Sequence, residues 1–266
     1  MRELRLAGRI IWTQLKNSLY YPQRVLLDCC GMTARCGILL LLYKGVFAWK
    51  GGQINHTPYQ IVAWSIFLYF VFSVMRARGV TDEITEDVRT GRLEMLLCKP
   101  VHYLTYRFWQ SIGAGLSSFL TIAPIGFSVM ILTLGIPPSM RLPIFLETWL
   151  LVAVLGTILT FLIRAIIGIM SFWMEDVDPI YWIVDKFIVI LGGSFLPVAF
   201  FPPIMYRLSL YSPFGASQFI SHTVYDSWAG MAWWMVGMQV FWIAIALGIL
   251  LWIYQNAKRQ VSINGG

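Results

Sequence analysis

Charged side chains are scarce in this chain of 266 residues. Asp, Glu, Lys and Arg together make up 12% of the sequence, whereas 58% of the residues are hydrophobic. Ordinary soluble domains carry about 25% charged residues. The composition therefore excludes an ordinary soluble domain and predicts an integral membrane protein.

Motifs for nucleotide, metal and nucleophile chemistry are also missing. The sequence has no G-x-x-x-x-G-K-[ST] phosphate loop, no H-E-x-x-H pair, no G-x-S-x-G elbow and no C-x-x-C pair among its four cysteines. We therefore expect no metal or other cofactor in this chain, and any ATP hydrolysis on a separate one. The net charge is +7, but the basic residues cluster near the termini and in one polar segment. That distribution disfavours nucleic acid and suits membrane topology signals.

Apolar segments dominate what is present. A transmembrane helix needs about 20 mostly apolar residues, and six segments can supply one. They lie within residues 25–49, 58–75, 105–135, 143–173, 180–199 and 231–254. The predicted fold class is an all-α membrane protein with six transmembrane helices in a single domain, 1–266. An even number of spans places both termini on one side.

An amphipathic helix is predicted before the first span, over residues 1–22. Its apolar side contains Leu4, Ile11, Leu15 and Leu19, and its basic residues are Arg2, Arg5, Arg9 and Lys16. This pattern is typical of a helix that lies in the membrane interface. Because Lys and Arg concentrate here, around segment 80–102 and in the C-terminal tail, the positive-inside rule predicts that this side is cytoplasmic.

The polar segment 80–102, VTDEITEDVRTGRLEMLLCKPVH, interrupts the apolar sequence between the second and third predicted spans. Val80, Ile84 and Val88 recur at four-residue spacing, which predicts a short amphipathic helix. Thr81 or Asp82 is the expected N-cap, and acidic residues crowd the first turns, where the helix dipole favours them. Thr90-Gly91 is the expected stop. The pattern alone leaves a docking surface and a solvated loop equally open.

Two further features concern the later spans. Pro197, Pro202, Pro203 and Pro213 forbid one straight helix through 191–228, so we expect short re-entrant helices over about 200–228 at the outer face. Arg164 lies deep in an apolar run and is costly there unless it snorkels or pairs. Asp185 is the partner that we expect, and a satisfied pair is favoured over a substrate contact.

Residues Glu86 to Pro100, EDVRTGRLEMLLCKP, resemble the cytoplasmic element of permease subunits in type-2 ATP-binding-cassette (ABC) exporters. The later pattern of Gly-Gly, Leu-Pro, Phe-Phe-Pro and Ser-Pro-Phe is similar to the same permeases. The resemblance implies a multi-pass subunit of the bacterial cytoplasmic (inner) membrane, with both termini cytoplasmic. It also implies a second permease, identical or related, and two ATPase subunits that bind ATP and Mg²⁺.

The resemblance further implies that 80–102 is a coupling element, which would carry movement of the ATPases to the second and third spans. The expected coupling residues are Glu83, Ile84, Glu86, Asp87, Val88, Arg89, Gly91, Arg92, Leu93 and Glu94. Among them, the charged side chains are expected to contact the ATPase, and Ile84, Val88 and Leu93 to fill its groove. Two alternatives stay open: a secondary transporter, which should show internal repeats, and a membrane-embedded enzyme, which needs convergent polar groups at one depth.

Overall fold

The computed structural model describes residues 2–20, 22–50, 53–54, 57–75, 79–97 and 101–264. Helix α1 covers Arg2–Tyr20 and α2 covers Pro22–Trp49. Two strands of two residues, β1 (Gln53–Ile54) and β2 (Thr57–Pro58), pair antiparallel before α3 (Tyr59–Ser73). The rest of the described chain consists of helices, turns and short irregular connections, so the expected all-α class is confirmed apart from this short pair.

The polar segment forms two short helices, α4 (Val80–Arg89) and α5 (Arg92–Leu97). Glycines with positive φ stand at both ends of α4: Gly79 at its N-cap, with φ 81°, and Gly91 in the turn after it, with φ 69°. The expected stop at Thr90-Gly91 is therefore present. The expected side-chain cap from Thr81 or Asp82 is wrong, because Gly79 occupies the N-cap and no side chain caps the helix.

Long helices form the second half of the chain. Helix α6 covers Tyr103–Leu134, and α7 covers Pro143–Ile169 with a 3₁₀ turn at each end, Pro138–Arg141 and Met170–Phe172. Helix α8 (Asp178–Leu191) is followed by short pieces: a 3₁₀ turn at Val198–Phe200, α9 (Pro203–Tyr211), α10 (Pro213–Ala216) and a 3₁₀ turn at Phe219–His222. The last helix, α11, covers Trp228–Asn264. The proline-rich segment thus folds as short helices.

Among the residues that the structure describes, three helical segments are long and apolar enough to cross a membrane: Tyr103–Leu134, Pro143–Phe172 and Trp228–Ala257. The fifth predicted span, 180–199, is not one helix. Helix α8 has 14 residues, or about 21 Å at the α-helical rise, and the chain turns at Gly192 and Gly193, whose φ is 79°. Helix α3 has 15 residues, which also falls short of a hydrocarbon core of about 30 Å.

The core lies around α7 and α3. Every residue of α3 from Ile61 to Phe72 is buried, so protein surrounds this apolar helix. Helix α7 packs along α11, and buried polar side chains pin the two together. Gln239 donates hydrogen bonds to the carbonyl oxygens of Val152 and Ala216 at 3.2 and 2.9 Å, and the Trp228 indole donates to Thr148 at 3.0 Å. These contacts fix the helix against which the polar segment rests.

Candidate functional site

Helix α4 lies against the end of α7, and its apolar stripe makes the contact. Val80 and Ile84 are buried, and a Cβ placed on Gly168 would lie 2.9 Å from the Cβ of Ile84 and 3.2 Å from the carbonyl oxygen of Thr81. The Thr81 hydroxyl donates a hydrogen bond to the carbonyl oxygen of Arg164 at 3.0 Å. The glycine therefore lets two helices approach more closely than any larger residue would allow.

This packing changes the expected role of the apolar residues. We expected Ile84, Val88 and Leu93 to fill a groove of the ATPase. Ile84 and Leu93 are instead buried within this chain, and Val88 is half-buried against the same core. In this conformation the side chains of Ile84 and Leu93 pack within the subunit and hold the polar segment on it, and Val88 keeps part of its surface exposed.

A buried ion network ties the other side of α4 to the beginning of α6. The Arg107 guanidinium donates from Nε to Asp87 Oδ2 at 3.0 Å and from Nη1 to Glu83 Oε2 at 2.8 Å. Its Nη2 contacts the same Asp87 oxygen. The Tyr103 hydroxyl also donates to Asp87 Oδ2, at 2.7 Å. Since the side chains of Arg107 and Asp87 are 9% and 4% exposed, water screens this pair little.

Glu83 and Asp87 were expected to face a partner, whereas the structure turns them toward Arg107. Arg107 itself was not among the expected site residues. A signal was present, because an arginine at the start of a long apolar helix calls for an acid nearby. Its partner lies 20 positions earlier in the sequence, however, and no periodic pattern joins the two elements.

The outward face of α4 and α5 carries the remaining charges. Glu86 and Arg92 are 62% and 60% exposed, with Arg92 Nη1 3.4 Å from Glu86 Oε1. Arg89 is exposed and its guanidinium donates to the carbonyl oxygen of Glu175, in the α7–α8 connection. Gly91 forms the exposed turn between the two helices. Glu94 belongs to α5, and its side chain lies outside the described residues.

The second expected group, Arg164 with Asp185, is brought together by α7 and α8. Arg164 Nη2 donates to Asp185 Oδ1 at 2.8 Å, and Nη1 donates to the Tyr181 hydroxyl at 3.0 Å. The guanidinium also lies 5.2 Å from the centre of the Tyr181 ring, within the range of a cation–π contact. Arg164 is buried, so this local pairing compensates its charge.

A match to a protein family distinguishes between the ABC permease, the secondary transporter and the membrane-embedded enzyme that the sequence left open. The family model for "ABC-2 family transporter protein" matches residues 37–265. This range includes α4, α6, α7 and α8, whose contacts are described above. The chain belongs to the ABC-2 transporter family. Membership confirms the resemblance seen in residues 86–100 and supports a permease role, a membrane location and a non-catalytic subunit for this ABC-2 protein.

A search of curated proteins gave no significant match to this ABC-2 protein. Within the part of the chain that the structure describes, no group of three or more His, Cys, Asp or Glu side chains is placed to hold a metal ion. The candidate site is the polar segment with the helix ends that hold it, where the described contacts are ion pairs, hydrogen bonds and apolar packing.

Proposed function

We propose that this chain is the transmembrane subunit of an ATP-driven ABC exporter and forms half of its translocation pathway. Two ATPase subunits bind ATP and Mg²⁺ on the cytoplasmic side, and a second permease subunit, identical or related, completes the pathway. The chain crosses the bacterial cytoplasmic membrane several times, with both termini in the cytoplasm. Helices α4 and α5 form the coupling element that receives the ATPase.

The observation that carries this proposal is the way α4 is held. One side packs on α7 through Ile84 and Gly168, and another is ion-paired to α6 through Asp87 and Arg107. A solvated loop needs neither attachment. An element that receives force from a partner needs both, because a displacement of α4 then displaces the two helices that hold it.

The side of α4–α5 that faces away from these helices is the docking surface in this proposal. It presents Glu86, Arg89 and Arg92 with the turn at Gly91. Exposed charges of both signs at a protein interface fix the register of docking and exclude wrong partners. The buried residues Ile84 and Leu93 support this surface from beneath, which revises their expected part in the interface.

The route of the movement is also revised. The sequence suggested transmission to the second and third spans, which correspond to α3 and α6. Helix α6 keeps that part through Arg107. The close contact at Gly168 adds α7, the most deeply buried of the three long apolar segments.

A charge swap tests the docking surface. The double variant Glu86→Arg with Arg92→Glu keeps an ion pair between positions 86 and 92, and so keeps their contact within the subunit, but reverses each charge that faces a partner. We expect the affinity for the ATPase to fall about tenfold or more, in both single variants and in the swap. The measurement is ATPase retained on the purified permease, together with ATP hydrolysis in reconstituted vesicles.

Lys50→Glu is the matched control, because Lys50 is exposed at the end of α2, away from the coupling element. It should leave ATPase binding unchanged. Recovery of binding in the swap would mean that only the contact within the subunit matters, and the docking surface would then be elsewhere. Activity of the purified chain with no ATPase bound would favour a secondary transporter and overturn the proposal.

A further inference from the structure

Arg164 contacts two different helices through two different groups. Its backbone carbonyl accepts the hydrogen bond of Thr81 on α4, at 3.0 Å. Its guanidinium, at the far end of the same side chain, donates to Asp185 and Tyr181 on α8 at 2.8 and 3.0 Å. One residue of α7 therefore joins the coupling helix to α8.

We propose that Arg164 is a positioning residue that transmits displacement of α4 to α8, so that the Arg164–Asp185 pair is part of the coupling route as well as a compensated charge. The inference rests on the proposed function, since it requires an ATPase to move α4. It adds α8, a helix that has no direct place in the coupling element.

The contact between α4 and α7 has little slack. Ile84 packs so closely on Gly168 that a Cβ at this glycine would lie 2.9 Å from the Cβ of Ile84. Packed interiors are too dense to absorb a displacement by local compression. Movement of α4 toward or along α7 therefore carries the turn from Arg164 to Gly168 with it.

A second attachment reinforces the first. Arg89, at the end of α4, donates to the carbonyl oxygen of Glu175, three residues before α8 begins at Asp178. Helix α4 thus holds α8 at two places: at the connection that leads into it, and through Arg164 at Asp185, two turns further on. Two separated attachments let a rotation of α4 tilt α8 as well as shift it.

The far end of α8 continues the route. Ser209 of α9 donates to the carbonyl oxygen of Leu191, the last residue of α8, at 2.7 Å. Ser221 donates to the carbonyl oxygen of Gly192 at 2.9 Å. Both serines are buried. A tilt of α8 is therefore passed to the short helices that follow it, which we expect at the outer face.

The test measures the movement of α8 in the complex with its copurified ATPase. Spin labels are placed by Ile183→Cys on α8 and Val240→Cys on α11, where the native side chains are 59% and 51% exposed. The native cysteines are first replaced by serine at Cys29, Cys30, Cys36 and Cys98. Electron–electron double resonance then gives the change in the 183–240 distance between the nucleotide-free complex and the complex trapped with ATP, Mg²⁺ and vanadate.

Two conservative variants interrupt the route. Thr81→Val removes the hydroxyl that bonds to Arg164 and keeps the shape of the side chain, and Asp185→Asn removes the charge that faces Arg164. We expect each to reduce the nucleotide-dependent change in distance roughly twofold or more, with the ATPase still bound. Thr160→Val is the matched control, because Thr160 is buried on α7 and its hydroxyl donates to the carbonyl oxygen of Gly156 in the same helix, at 2.8 Å.

The possible failures are distinguishable. If the unmodified permease retains no ATPase, the proposed function fails and this inference fails with it. If the ATPase is bound but the native complex shows no nucleotide-dependent change in the 183–240 distance, the inference alone is overturned. It is also overturned if the change in Thr81→Val and Asp185→Asn is as large as in the native complex. The inference would also be overturned if Thr160→Val reduced the change in distance as much as Thr81→Val does, because removal of any buried hydroxyl would then have the same effect.

Discussion

Gly168→Ala is the most informative single substitution at the α4–α7 contact. The added Cβ would lie 2.9 Å from Ile84 Cβ, 3.1 Å from Ile84 Cγ2 and 3.2 Å from the carbonyl oxygen of Thr81. All three atoms belong to α4, and two of them are close to or part of its backbone. No rotation of a side chain relieves the overlap, so α4 as a whole must move away from α7.

The size of the effect follows from these distances. Carbon atoms pack at about 3.5–4.0 Å, so α4 must retreat by about 0.6–1.1 Å. Overpacking of this kind costs about 1–3 kcal/mol. Alanine is favoured over glycine inside a helix by about 0.5–1 kcal/mol, which offsets part of that cost. The net loss in the free energy of unfolding is therefore on the order of 1 kcal/mol.

Thermal unfolding of the purified complex measures this loss. We expect the midpoint of Gly168→Ala to fall by about 2–4 °C, and the ATPase bound to the permease to hydrolyse ATP with weaker coupling to α8 movement. Gly248→Ala is the matched control, since nothing lies within 4 Å of a Cβ at this glycine of α11; its midpoint should stay the same or rise. Equal midpoints for the two variants would refute the close α4–α7 contact.

Two ion pairs give further predictions. Asp87→Asn removes the negative charge that Arg107 faces and replaces one of the two carboxylate oxygens by an NH2 donor. We therefore expect it to lower the free energy of unfolding by about 1.5–3 kcal/mol, whereas Glu86→Gln at the exposed pair should cost less than about 1 kcal/mol. Comparable losses for the two variants in denaturant titrations would contradict the buried network. Arg164→Asp should lower the thermal midpoint of the complex, and adding Asp185→Arg should restore part of the lost stability. A double variant no more stable than Arg164→Asp would show that the two side chains do not act as partners.

Local structure in the polar segment could be predicted from the sequence. The spacing of Val80, Ile84 and Val88 predicts a helix, and the described helix begins at Val80 and ends at Arg89. The spacing shows which residues share a face but not what that face contacts. A partner ATPase and the subunit's own α7 would select the same apolar stripe, so only the three-dimensional structure shows that Ile84 meets Gly168.

Long-range pairs were predictable only where a residue stood out from its surroundings. Arg164 lies alone in an apolar run, which predicted a need for an acid and suggested Asp185. Arg107 stands at the edge of its apolar run, where its need for an acid is a weaker signal, and no periodic pattern singled out Asp87 among the acids of the polar segment. The end of α8 at Leu191 was also missed. The composition stays apolar past Leu191, whereas the chain turns because Gly193 adopts a positive φ, which the apolar pattern does not show.

The contact between α1 and α6 has a consequence for how the subunit is made. A Cβ at Gly113 of α6 would lie 2.8 Å from Gln14 Cβ and 3.1 Å from Ile11 Cα, so α1 is shaped to fit a helix that leaves the ribosome well after it. Until α6 has been inserted, Ile11 and its neighbours lack the helix that they pack on, and the bilayer surface can shelter them in the meantime. Completion of the N-terminal part of the molecule is thereby tied to synthesis of its middle.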